Sequence, residues 1–307
     1  MPDVSALLVL VVGLMAGIVA GSAARRRGQM ADDAHQMVTF WVLDVALPAL
    51  ALRVLHSVVF PANLLLIIAG PYLLFVVGAT LFLCIGRVLR LRRDVVGALI
   101  VTAAVANTSF VGIPMVTAFF GADSVPVALL VDQLGSFVIV GTVVIAVAAT
   151  ASGAGVTRME IARRLFTAPA LIALLTGLIL RPVAFPGWLT EALTALGATL
   201  TPLALFSIGL QLRIGALRTW RRELAIGLLV KLVIGPALVF GAYALTGSLD
   251  DHGVQVALFE TAMPPMVAGA MIATRYDLAT PLPSLMVGVG VPASLLTLPI
   301  WSWILQG

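Results

Sequence analysis

The sequence predicts an all-α integral membrane protein, with ten transmembrane helices arranged as two inverted five-helix repeats. Three observations carry that expectation. Of 307 residues, only 18 are Lys or Arg and 14 are Asp or Glu, while 61% are hydrophobic and the mean hydropathy is +1.13. A soluble domain is nearer 25% charged and 45–50% apolar. The apolar runs are each about the 20 residues that a spanning helix needs. Finally, two proline motifs recur at nearly one offset. The composition excludes a soluble enzyme, a disordered chain and a nucleic-acid binder, because a net charge of +4 is too small for a phosphate-tracking surface.

The ten expected spans are 4–24, 36–56, 64–86, 95–119, 125–150, 168–185, 191–212, 224–246, 253–274 and 283–305. The first lacks a basic leader and a small-residue cleavage site, so it reads as a retained helix. Basic residues alternate along the chain. Arg25, Arg26 and Arg27 follow span 1, and Arg87, Arg90, Arg92 and Arg93 follow span 3. Arg158, Arg163 and Arg164 follow span 5; Arg213, Arg218, Arg221 and Arg222 follow span 7; Arg275 follows span 9. The opposite loops hold Arg181 alone. The positive-inside rule places the basic loops in the cytoplasm and both termini outside, in a multi-pass cytoplasmic-membrane protein. Topology accounts for these clusters; a lipid or partner site is the alternative.

Five helices per repeat turn the second copy upside down, which divides the chain at 1–150 and 151–307. Span 2 carries Leu47-Pro48-Ala49-Leu50 and span 7 carries Thr201-Pro202-Leu203-Ala204, with the prolines 154 residues apart. Span 4 carries Ile113-Pro114-Met115-Val116 and span 9 Pro265-Met266-Val267; Pro114 and Pro265 are 151 apart.

Spans 4 and 9 should break. Span 4 holds Asn107-Thr108-Ser109-Phe110-Val111-Gly112-Ile113-Pro114 near its middle, and span 9 holds Glu260-Thr261-Ala262-Met263-Pro264-Pro265. Proline removes a backbone donor and clashes with the preceding turn. Irregular backbone at membrane depth is tolerated where it is buried in protein or lines a cavity. Interrupted helices in matching repeat positions point to the substrate site of a secondary transporter. A plain proline kink is the bland alternative.

Ionisable residues inside spans are expensive and mark function. Glu260 lies four residues before the double proline. It can ligate Na⁺ with Asn107 and Thr108, exchange a proton, or serve as a structural hydrogen-bonding group. Asp132, followed by Gln133, can approach the break because Gly121-Ala122-Asp123-Ser124 is a short connection. Asp44 sits one turn before Pro48. Arg53 and Lys231 lie near span ends, from which long basic side chains can snorkel, or they meet an anionic substrate or a buried carboxylate. His35, His56 and His252, and Trp41, Trp188, Trp220, Trp301 and Trp303, read as interfacial. The single cysteine, Cys84, forms no redox or zinc pattern. No nucleophile elbow, phosphate loop or zinc motif is present, so an enzyme is not expected, and Asp32-Asp33 lacks a second acidic pair.

Asn107 to Pro114 resembles the fourth-helix signature of the auxin efflux carrier family, whose bacterial members include proteins described as malate and malonate permeases. Met263-Pro264-Pro265-Met266-Val267-Ala268 with Arg275-Tyr276-Asp277 is similar to its ninth helix, and Lys231-Leu232-Val233-Ile234-Gly235-Pro236 to its eighth. The resemblance covers the whole chain, without the long central loop of plant members. It implies that broken helices 4 and 9 cross with substrate between them. It also implies a scaffold of spans 1, 2, 6 and 7, a mobile transport domain of spans 3–5 and 8–10 moving as an elevator, and a homodimer. The bile-acid/sodium symporter fold is more distantly similar. There, a ninth-helix Glu and a fourth-helix Asn bind Na⁺, matching Glu260 and Asn107 by position. Its following Gln-Asn is Pro264-Pro265 here.

The expected function is elevator-type secondary transport of a small organic anion, such as a carboxylate. Asn107, Thr108, Pro114, Pro264, Pro265 and Gln133 are the expected substrate-site residues. Glu260, Asp132 and Asn107 are expected to couple transport to Na⁺ or H⁺. The alternatives are a sodium-coupled symporter of bile-acid or sterol-like anions and a non-transporting membrane sensor.

Overall fold

The computed structural model describes residues 12, 15–17, 19–21, 23–24, 27, 37–38, 40–56, 60–153, 157, 159, 163, 166–211 and 217–307. Much of the first expected span lies outside the described residues, as do His35, Asp32, Asp33 and several loop arginines. The described residues are helical, with no strand among them and a single isolated bridge.

Helix α1 starts as a wide π-turn, Trp41–Ala46, and continues as Leu47–His56. It is followed by α2 (Leu64–Val88), α3 (Arg93–Ala103), α4 (Thr108–Phe120) and α5 (Ala122–Ser152). The second half comprises α6 (Pro169–Ile179), α7 (Gly187–Ala198), α8 (Leu200–Gln211), α9 (Arg221–Ala244), α10 (His252–Thr261), α11 (Val267–Arg275) and α12 (Leu282–Gln306). Helices α2, α5, α9 and α12 are each long and apolar enough to cross a membrane unaided. At 1.5 Å per residue, 25 residues reach about 37 Å, beyond the roughly 30 Å hydrocarbon core. The expected fourth span is divided into α3 and α4, and the ninth into α10 and α11, as the sequence indicates. Two boundaries differ. The sixth helix stops at Ile179 and not at 185, because the stretch through Pro182 and Pro186 cannot continue it. The seventh starts at Gly187 and turns at Thr199, three residues before Pro202.

The prolines explain most of the irregular turns. Proline displaces the carbonyl four residues before it, and a widened i→i+5 turn accommodates the displacement. Three π-turns end two residues before a proline: Trp41–Ala46 before Pro48, Thr108–Gly112 before Pro114, and Val230–Ile234 before Pro236. In the last, the carbonyl of Leu232, four residues before Pro236, accepts the indole N–H of Trp301 at 2.9 Å. Trp301 is therefore half-buried and caps a carbonyl of another helix. A further π-turn, Asp132–Ser136, has no nearby proline in α5. Its Leu134 carbonyl accepts the Tyr72 hydroxyl from α2 at 2.7 Å.

Packing forms two groups. Helix α1 lies against α6 and α7, while α2 packs on α3, α9 and α10, and α3 on α5, α11 and α12. Helix α8 touches both α4 and α12. Ala51, Leu55, Leu171 and Leu174 of the first group join Leu130 of α5 in one apolar cluster. His56 donates from Nε2 to the Val183 carbonyl (2.8 Å) and stacks on Phe185, fixing the segment after α6.

Candidate functional site

The two helix breaks meet. Residues 104–107 separate α3 from α4, and 262–266 separate α10 from α11. Ala106 and Pro265 form an antiparallel bridge; the Asn107 N–H donates to the Pro264 carbonyl and the Met266 N–H to the Thr102 carbonyl, both at 3.0 Å. Pro264 and Pro265 stand inside their break. Pro114 does not: it is the seventh residue of α4, and the π-turn before it makes room for its ring. The interruption is placed upstream, at Ala104–Asn107. Close approach of the halves depends on Gly269, where a Cβ would run into the Val101 carbonyl oxygen.

Asn107 caps α4, its Oδ1 accepting the Phe110 N–H at 3.3 Å. The next two residues lie on the π-turn and face α5. Thr108 and Ser109 donate their hydroxyls to the same Asp132 oxygen, at 2.5 and 2.6 Å, and Gln133 donates from its amide to the other at 2.7 Å. Asp132 is completely buried and thereby holds three hydrogen bonds. The short Ala122–Ser124 turn brings α5 back along α4, as the sequence anticipates.

Glu260 is also completely buried, yet neither carboxylate oxygen has a hydrogen-bond partner. Its carboxylate lies against Gly112, where a Cβ would collide with both oxygens. Asp132 and Lys231 are within electrostatic reach of it. Lys231 does not snorkel: it is 0% exposed and donates to the Thr261 carbonyl at 2.9 Å. That carbonyl belongs to the last turn of α10, where helix geometry leaves acceptors free and a cation is favoured.

Among the described residues, five buried side-chain atoms lack partners: Asn107 Nδ2, Gln133 Oε1, Ser136 Oγ and both Glu260 oxygens. Asn107 is a break residue, Glu260 stands in the last turn of α10 beside its break, and Gln133 and Ser136 lie on the π-turn of α5. Such groups are ordinarily satisfied by protein, water or ligand. Asp44 is half-buried and Arg53 is exposed; among the described residues no hydrogen bond or ion pair joins either to this cluster. Ser109, Gly112, Ser136 and Lys231 belong beside the expected residues. Ser109 was visible in the polar triplet, whereas Gly112 and Lys231 owe their places to packing.

Helices of membrane-crossing length, with two interrupted helices meeting at buried, unpartnered polar groups, define a multi-pass membrane protein of the transporter class. A family model described as "Membrane transport protein" matches residues 4–302. The chain belongs to that family, the auxin efflux carrier family. It is similar to an uncharacterised transporter of Methanocaldococcus jannaschii, 24% identical over 311 residues, covering 97% of this chain and 98% of the relative. It is also similar to an uncharacterised transporter of Methanothermobacter thermautotrophicus, 28% identical over 209 residues, or 67% of each chain.

Proposed function

We propose that the chain is a secondary carrier that moves a small organic anion, such as a carboxylate, through the crossing of the two broken helices. One observation carries this reading: the buried polar atoms without partners among the described residues belong to Asn107 at the crossing, to Glu260 at the end of α10 and to the π-turn of α5 that packs on α4. Helices α4 and α11 both begin there, and the first N–H groups of a helix lack internal partners and favour an anion. Asn107, Thr108, Gln133, Pro114, Pro264 and Pro265 form the substrate surroundings in this reading.

Charge counting supports coupling to a cation. Asp132, Glu260 and Lys231 together carry a formal charge of −1 when ionised. An anionic substrate would deepen that deficit in a low-dielectric site, so a proton or Na⁺ must enter with it. Glu260, bare on both oxygens, is the group that would receive it, with Asp132 and Asn107 beside it. Two five-helix inverted repeats, 1–150 and 151–307, underlie this arrangement; the disturbed turns before Pro48 and before Pro202 support the correspondence. The α1, α6 and α7 group would be scaffold and the other group the moving body of an elevator, within a homodimer in the cell membrane with both termini outside.

Flux of a panel of radiolabelled carboxylates into proteoliposomes tests the proposal. Uptake that saturates and responds to an imposed proton or Na⁺ gradient is expected. A folded protein that moves and binds none of them would remove the anion assignment. Uptake confined to bulky bile-acid-like anions with Na⁺ would favour the symporter reading, which the bare Glu260 also supports. Cysteine crosslinks between α1 and α5 that never change with substrate or ion would favour a non-transporting sensor.

A further inference from the structure

The group of α2, α3 and α5 carries a second feature on its outer side. A groove of about 710 Å³ runs between these helices. Its walls are apolar, with Phe75 and Leu83 from α2 and Val143 from α5, and its mouth is basic, with Arg87, Arg90 and Arg93. All three arginines are exposed. The adjacent carboxylate, Asp94, is taken by Arg92 at 2.6 Å, and this is the one ion pair among the described residues. Among the described residues the three groove arginines therefore have no ion-pair partner.

The turn that holds them is unusual. α2 ends with the Leu91 N–H on the Gly86 carbonyl (2.9 Å) and the Arg90 N–H on the Arg87 carbonyl (3.4 Å). That is a Schellman closure, whose left-handed position normally takes glycine. Here it is Arg90, at φ 53°. Topology alone accounts for basic residues in this loop, but not for one held in a strained backbone conformation at the mouth of a groove. The depth is also informative. From Phe75 to Arg87 the helix rises about 18 Å, close to the roughly 15 Å of one leaflet's hydrocarbon.

We propose that this groove binds an anionic phospholipid. The phosphate sits among Arg87, Arg90 and Arg93, and one acyl chain lies along Phe75, Leu83 and Val143. The charge at the mouth, the apolar walls and the one-leaflet depth together match an anionic amphiphile and no soluble ion. The site is separate from the helix crossing and stands whether or not the carrier reading does.

The test uses the full-length protein, delipidated in detergent and titrated with phosphatidylglycerol or phosphatidylcholine, with bound lipid counted by native mass spectrometry and thermal unfolding followed in parallel. Phosphatidylglycerol is expected to bind in preference to phosphatidylcholine. Arg87→Gln and Arg93→Gln should each weaken it roughly fivefold, from the contribution of one basic residue near an anionic surface. Arg90→Gly relieves the backbone strain, so it should melt no lower than the native protein while losing phosphatidylglycerol. Val143→Trp fills the groove and should lose the lipid with every arginine intact. Equal binding of the two lipids would overturn the proposal, as would full phosphatidylglycerol binding by Arg90→Gly. Competition by glycerol 3-phosphate with no effect of Val143→Trp would also overturn it, by identifying a soluble-anion site.

Discussion

The carboxylate of Glu260 rests against the Cα of Gly112, in the space that any side chain at position 112 would need. Glycine is thus required by contact and not by backbone angle, since the residue lies in the ordinary right-handed helical region. Gly112→Ala is expected to destabilise the protein by about 1–3 kcal/mol through overpacking and to abolish ion-coupled uptake. Thermal unfolding and proteoliposome flux measure the two effects. Unchanged flux in Gly112→Ala would mean that the carboxylate has room to move elsewhere.

Lys231 is within electrostatic reach of this carboxylate and caps the Thr261 carbonyl. Lys231→Met should cost about 3 kcal/mol, the lower end for breaking a buried charge pair, because no direct ion-pair contact joins Lys231 to Glu260. Adding Glu260→Gln should recover part of that loss. A double-mutant cycle on unfolding midpoints gives the coupling, and strict additivity would show that the two side chains act independently.

Asp132 gathers Thr108, Ser109 and Gln133. Asp132→Asn keeps the shape but replaces charge-assisted hydrogen bonds, each worth about 1.5–3 kcal/mol, with weaker ones. Uptake is expected to fall at least tenfold, with a lower melting temperature. Thr108→Val should reproduce part of the loss, measured as initial rates at fixed protein content.

Glu260→Gln removes the proposed cation acceptor while retaining its volume. Substrate exchange at equal concentrations on both sides should persist. Uphill accumulation driven by a proton or Na⁺ gradient should vanish. Comparing exchange with gradient-driven uptake in the same vesicles separates the two, and gradient-driven accumulation at the native level would exclude Glu260 as the coupling group.

Part of this arrangement is legible in the sequence for simple reasons. Pro264-Pro265 cannot lie in an intact helix, and the four-residue connection before Val125 brings Asp132 back to Asn107–Ser109. The positions of the breaks are read less well. Pro114 looks like the breaking residue, yet the widened turn at Thr108–Gly112 accommodates it within α4, and the interruption falls upstream of it. Depth is read worst. Lys231 looks two turns from a span end and free to snorkel, but α9 is turned by the widened step before Pro236, and the side chain points inward to the end of α10. Trp301 has the composition of a membrane-belt residue, and only the tertiary fold reveals the displaced Leu232 carbonyl that it serves. Gly112 carries no signal of its own, because its role depends on a carboxylate 148 residues away.

The bridge between Ala106 and Pro265 is made from main chain. Apart from the space that Gly269 must leave open, a joint of that kind does not use the side chains around it. The two interrupted helices are riveted at their centres, so neither can be displaced without carrying the other, and the residues lining the cleft can be exchanged without loosening the rivet. If the proposed carrier reading holds, substitution at positions such as 107, 108 and 133 would change the cargo while the two broken helices stay joined.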